Sequence, residues 1–182
     1  FLCEPVLDHV GIRDWFDARG WAPHAHQRAL LETPGHALLL APTGAGKTLA
    51  GFLPSLRDLV TRPTPGLHTL YVSPLKALAV DVARNVQAPI AEMGLDLRAE
   101  TRTGDTGQAQ KDRQRRDPPH ILLTTPESLA LLLSYHDAPS MFGSLKRLIV
   151  DEVHAFAPTK RGHLLALGLA RLNRLAPDAA RV

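Results

Sequence analysis

Apolar residues in this chain gather in short runs, each followed by turn residues and then by a stretch whose apolar positions recur every three or four residues. The runs are residues 37–41, 69–73, 121–125 and 147–151, with a more polar one at 97–101. Continuous hydrophobicity over so few residues is the pattern of strands buried on both faces of a parallel sheet. Between the runs, Leu75, Leu78, Val82 and Val86 lie on one helical stripe, and Leu165, Leu169 and Leu172 on another that Pro177 ends. Phe52, Leu56 and Leu59 make a third, in which Pro54 is expected to kink the helix or mark its first turns. Residues 62–66 and 117–119 read as loops, because strands resume directly after each. The alternation predicts an α/β fold with an open, mostly parallel sheet and helices on both faces.

Composition narrows this reading without redirecting it. The 182 residues suit one domain, and 45% hydrophobic with 21% charged content is that of a globular protein. No apolar stretch approaches the ~18 residues of a membrane span, and nothing resembles a signal peptide, so no membrane partner is expected. Cys3 is the sole cysteine, which excludes an internal disulfide and points to a reducing, cytoplasmic setting. The nine histidines lack acidic or cysteine neighbours at zinc spacing and read as loop residues. Net charge is +3, and six basic side chains (Arg98, Arg102, Lys111, Arg113, Arg115 and Arg116) face three acidic ones between residues 98 and 116. Such a cluster suits either a phosphate-contacting surface or a solvated helix face, and charge does not decide between them.

Chemistry enters at the ends of the apolar runs, where ligands bind in sheets of this kind. After Leu38, Leu39 and Leu40 come Ala41, Pro42, Thr43, Gly44, Ala45, Gly46, Lys47 and Thr48, and then a helical pattern. Gly44 and Gly46 let successive backbone N–H groups curl toward one anion, and the helix start adds its positive end. Lys47 is placed to reach the outer phosphates of ATP, and the Thr48 hydroxyl to coordinate Mg²⁺. Ala41 stands where the general phosphate-loop pattern has glycine. At the end of the run at 147–151, Asp151 is placed to hold Mg²⁺ and Glu152 to deprotonate an attacking water. ATP and Mg²⁺ are the expected cofactors.

These two segments together, the loop 43–48 and Asp151-Glu152-Val153-His154, resemble the superfamily 2 helicases of DEAH/DEXH-box type. The resemblance implies a RecA-like lobe of the P-loop NTPase class spanning residues 1–182, with Gln27 reading adenine and His154 coupling the ATP site to movement. A glutamine amide can pair with both the donor and the acceptor of the adenine edge. Three further segments resemble the family's nucleic-acid-contacting motifs: Ser73, Pro74 and Lys76; Arg102, Thr103 and Gly104; and Thr125, Pro126 and Glu127. Hydroxyls, backbone amides and a helix that opens on proline suit phosphate contact without base reading. More narrowly, residues 15–24, 67–78 and 151–162 are similar to the large helicase-related (Lhr) group, and within it to bacterial ligase-associated DEXH-box helicases. That similarity implies an ATP-dependent, 3′-to-5′ DNA helicase or translocase linked to repair proteins. It also implies a Ser-Ala-Thr motif just after Val182 and a second motor lobe with arginine fingers, neither of which lies in this chain. An RNA helicase lobe and a non-unwinding, nucleotide-dependent binding module remain the alternatives.

Overall fold

The computed structural model describes residues 10–42, 44–157 and 159–182, leaving out the side chain of Val10. Cys3 and Thr43 fall outside the described residues. Five parallel strands form one sheet in the order β2-β3-β1-β4-β5: β1 (Thr69–Val72), β2 (Ala99–Arg102), β3 (Ile121–Thr124), β4 (Arg147–Val150) and β5 (Ala180–Arg181). Helices α1 (Val10–Ala18), α2 (Ala25–Glu32), α3 (Lys47–Thr61), α4 (Lys76–Glu92), α5 (Gln108–Arg116), α6 (Pro126–Ser134), α7 (Ala138–Phe142), α8 (Val153–Phe156) and α9 (Lys160–Leu175) complete it. This is the open RecA-like α/β architecture.

The apolar runs are continuous because successive residues feed different cores. Side chains alternate across a strand. Tyr71, Ile121, Leu123 and Ile149 point into one cluster with Trp15 and Phe16 of α1, Phe52 and Leu56 of α3, and Val82 and Val86 of α4. Their neighbours Leu70, Val72, Leu122 and Leu148 point into the other, with Leu129 and Leu133 of α6, Phe142 of α7, and Leu165 and Leu172 of α9. A polar substitution at any of these strand positions therefore meets a core, whichever face it takes.

Three expectations need correction. Residues 37–41 form no strand: the Ala37 N–H meets the Arg181 carbonyl at 2.8 Å without starting a ladder, and Leu38 and Leu40 are 74% and 84% exposed. Apolar character does not make a strand without a neighbouring edge to pair with, and β5 offers this segment two residues. The buried stripe of α4 runs through Ala79, Val82, Ala83, Val86 and Ile90, while Leu75 caps the helix and lies exposed. Pro54 sits midway along α3 rather than in its first turns, and the helix continues past it.

Candidate functional site

The loop ahead of α3 is shaped by glycine. Gly44 and Gly46 have φ of 80° and 72°, the left-handed region that side chains disfavour, and Gly46 is the residue from which α3 starts. A Cβ at Gly46 would also stand 2.8 Å from Gln27 Nε2. The first N–H groups of a helix have no partner within it, so Lys47 and Thr48 open α3 with donors available to an anion. Lys47 Nζ donates to the carbonyls of Ala41 (2.8 Å) and Pro42 (3.2 Å), which ties down the loop's other limb. A cavity of ≈380 Å³ is lined by Gly44, Gly46, Lys47, Thr48, Asp151 and Glu152, among others. A second, of ≈200 Å³, shares Lys47, Thr48, Asp151 and Glu152 and adds His154. Parallel pairing of β1 with β4 delivers Asp151 to this end of the sheet.

Both oxygens of Asp151 are engaged. Oδ1 accepts the Glu152 N–H at 2.9 Å, and Oδ2 accepts the hydroxyl of Tyr71 at 2.5 Å. Burial, followed by Asp151 itself, holds that phenol above its ordinary range, so Tyr71 stays a donor. Glu152 is left-handed at φ 49°, the sole non-glycine residue with positive φ among those described. Strain of this kind persists where the surroundings over-determine a side chain's direction. His154 Nε2 lies 3.3 Å from Glu152 Oε2 at the surface. Gln27 is buried, its Oε1 accepting from the His24 N–H (2.8 Å) and its Nε2 donating to the Gly46 carbonyl (3.4 Å). It braces the glycine loop directly.

The three remaining sequence segments converge on a second cleft at the same end of the sheet. Pro74, Lys76, Thr103, Gly104, Thr125 and Glu127 line a cavity of ≈490 Å³. Ser73 lies beneath it, fully buried, with its hydroxyl donating to the Leu75 carbonyl (3.3 Å), and Pro126 opens α6. Lys76 Nζ sits against the Asp105 carboxylate at 2.9 Å. Arg102 borders the cleft, yet its side chain is 1% exposed and donates to the Lys111 carbonyl at 2.7 Å. Burial lowers its pKa. Glu127 is clasped by Arg161 from the start of α9, which keeps its carboxyl below the usual range.

Half of the basic block is paired with carboxylates. Arg98 pairs with Asp117, Arg113 with Glu100, and Arg115 with Asp137 while stacking 3.8 Å from the Tyr135 ring centroid. Of the six, only Arg102 and Lys111 border the cleft. The sequence reading gave no site role to Tyr71, which looked like one more residue of a buried strand, or to Arg161, which follows Lys160 in a segment noted only for its family similarity. A hydroxyl at the C-terminal end of an otherwise aliphatic strand was the available signal for the first.

Among the described residues no helix is long and apolar enough to cross a membrane. Comparison with known proteins gives consistent results. The chain is 40% identical over 189 residues to the ATP-dependent helicase Lhr-Core protein 2 of Thermococcus barophilus, covering 94% of this chain and 22% of that protein. It is 40% identical to the Lhr helicase/uracil glycosylase of Escherichia coli, with 97% of this chain and 13% of that one covered. The chain thus spans less than a quarter of these relatives. Among solved structures, Mycobacterium smegmatis helicase Lhr bound to ssDNA and AMP-PNP superposes with a TM-score of 0.86 at 41% identity, over 94% of this chain and 24% of that one. The DEAD/DEAH box helicase family matches residues 24–182, a stretch that takes in the glycine loop, Asp151 and the second cleft. By that match the chain belongs to the DEAD/DEAH box helicase family.

Proposed function

We propose that residues 1–182 are the first RecA-like, ATP-binding lobe of an ATP-dependent DNA helicase or translocase, of 3′-to-5′ polarity and engaged in DNA repair. The observation that carries the motor reading is the placement of two clefts at the C-terminal ends of adjoining parallel strands. One is lined by Lys47, Thr48, Asp151 and Glu152, the other by Pro74, Lys76, Gly104 and Thr125. The relative from Mycobacterium smegmatis, bound to ssDNA and AMP-PNP, supports a nucleotide in the first and a strand in the second. Polarity and repair rest on the sequence resemblance.

In the first cleft, the amides at the start of α3 and the Lys47 ammonium meet the phosphates. Mg²⁺ is bound by hard oxygen donors, commonly one or two carboxylates with phosphates and waters, and the Thr48 hydroxyl with the Asp151 carboxylate is such a set. When bound, the ion offsets charge that builds on the outer phosphates. Glu152 takes a proton from the attacking water as that water's oxygen bonds to the γ-phosphorus and the bond to the ADP oxygen breaks. Gln27, buried against Gly46, would read adenine from beneath the loop, and His154 would report the state of Glu152 to the facing lobe. That second lobe would supply the positive charge the transition state still needs. In the second cleft, Thr103, Thr125 and the amide end of α6 would hold phosphates and leave the bases unread.

Glu152→Gln in the full-length protein tests the assignment. The amide keeps the shape but takes no proton, so a fluorescent ATP analogue is expected to bind within about threefold of wild type while turnover falls by about 10²-fold or more. Ordinary turnover in this variant refutes Glu152 as the base. Stimulation of turnover by single-stranded RNA but not DNA overturns the choice of nucleic acid.

A further inference from the structure

The Asp151 carboxylate is not left to find its own orientation, and the group that fixes it carries none of the site roles read from the sequence. Tyr71 stands on β1, one strand over from β4, and is 1% exposed. Its ring stacks on Phe52 of α3 with centroids 5.4 Å apart, and its hydroxyl reaches 2.5 Å to Asp151 Oδ2. The second oxygen, Oδ1, takes the Glu152 N–H at 2.9 Å. Two donors on two oxygens leave the carboxylate no free rotation about its last bond. The carboxylate keeps unused lone pairs, and Asp151 lines a cavity together with Lys47 and Thr48. Tyr71 also lines that cavity.

From this geometry we infer that Tyr71 is a positioning residue for magnesium-dependent nucleotide binding, acting through Asp151. The inference rests on the reading of Asp151 as the carboxylate that holds Mg²⁺. A carboxylate already turned toward the metal loses no rotational freedom on binding it, and a freely rotating one does. The phenol also occupies the side of Asp151 that a protein cation could otherwise neutralise, and it does so without bringing a charge. A lysine or arginine in its place would compete with the ion. Packing alone does not call for the hydroxyl. A phenylalanine would fill the same space against Phe52, Ile149 and Leu123 in the first core cluster.

The test is the Mg²⁺ titration of fluorescent ATP-analogue binding to the full-length protein, run on wild type, Tyr71→Phe, Asp151→Asn and the double variant. Melting temperature and metal-free analogue affinity are measured alongside. Tyr71→Phe is expected to raise the Mg²⁺ midpoint about 3- to 10-fold, the span of one ordinary hydrogen bond, with metal-free affinity unchanged within about twofold. Asp151→Asn is expected to raise it further. Adding Tyr71→Phe to Asp151→Asn is expected to change nothing more, because the hydroxyl acts only through that carboxylate. A Tyr71→Phe midpoint equal to wild type, beside a clear Asp151→Asn effect, overturns the inference and leaves the Asp151 reading standing. Equal shifts with and without Asp151 assign Tyr71 a purely structural part and overturn it as well. If Asp151→Asn leaves the midpoint unmoved, the Asp151 reading falls and the role of Tyr71 falls with it.

Discussion

Replacing Gly162 by alanine is expected to destabilise this lobe far more than its position near the surface suggests. Gly162 lies in the first turn of α9, where its N–H donates to the Thr159 hydroxyl at 3.1 Å and so caps the helix. A Cβ there would stand 2.1 Å from the Phe156 carbonyl oxygen and 2.9 Å from its carbon, both backbone atoms, far inside a contact of about 3.5 Å. Phe156 cannot retreat: its side chain is buried in the second core cluster, and its carbonyl accepts from both the N–H and the hydroxyl of Thr159 at 3.0 Å. Relieving the overlap means separating α8 from α9, which costs about 1–3 kcal/mol for overpacking and about 1 kcal/mol for the lost cap. The sum, about 2–4 kcal/mol, corresponds to a fall of about 5–15 °C in melting temperature for a chain of this size. Gly168, further along the same helix, supplies the control. A Cβ there would meet Leu129 and Leu133 at an ordinary 3.6 Å, so Gly168→Ala is expected to stabilise by about 0.5–1 kcal/mol. Thermal melting of the 182-residue chain, followed by far-UV circular dichroism, reads both. Two shifts of the same sign, or a Gly162→Ala melt within about 2 °C of wild type, refute the reasoning.

Lys47→Ala is expected to abolish ATP turnover in the full-length protein while leaving melting almost unchanged, since the side chain bonds only loop carbonyls; turnover near the wild-type rate refutes the phosphate-loop assignment. Lys76→Ala is expected to weaken single-strand binding and lower the slope of log affinity against log salt by about 1, whereas buried Arg102→Ala is expected to lower the melting temperature as well; an unaltered slope for Lys76→Ala moves the strand elsewhere. Acid is expected to weaken the fold through His68, whose buried ring is lowered from 6.5 to about 4. The unfolded chain binds a proton there that the folded one refuses, so stability falls as pH drops through this window, by about 3 kcal/mol at its lower end. Denaturant unfolding at pH 7 and pH 5 checks the sign, and an equal loss in His68→Gln assigns it to other groups.

Much of the fold was legible because three of its strands, β1, β3 and β4, lie between helices on both faces, and burial on two sides writes itself as a nearly unbroken apolar run. The segment 37–41 carries the same run without the result, because strand formation depends on an adjoining edge that composition does not report. The opposite error hid β5, whose Ala180 and Arg181 carry no apolar signal and are recruited by pairing with β4. At the candidate site, spacing was enough to bring Lys47, Thr48, Asp151 and Glu152 together, since the phosphate loop and the acidic strand end are local motifs. Contacts across the sheet left no such trace. Tyr71 is 80 positions from Asp151, and Arg161 is 34 from Glu127, so only the folded chain discloses either pairing.

Strand β1 has a consequence of a different order. Tyr71 hangs from it into the nucleotide side, and within five residues the same stretch of backbone has reached Pro74 and Lys76 in the other cleft. Its four residues are hydrogen-bonded on both edges, to β3 and to β4, so the strand that carries Tyr71 is held stiffly up to Val72. Linkage then fixes the bookkeeping in both directions: whatever factor a bound strand adds to nucleotide affinity, bound nucleotide must add to strand affinity. Titrations of the full-length protein with each ligand, in the presence and absence of the other, are expected to close that thermodynamic square.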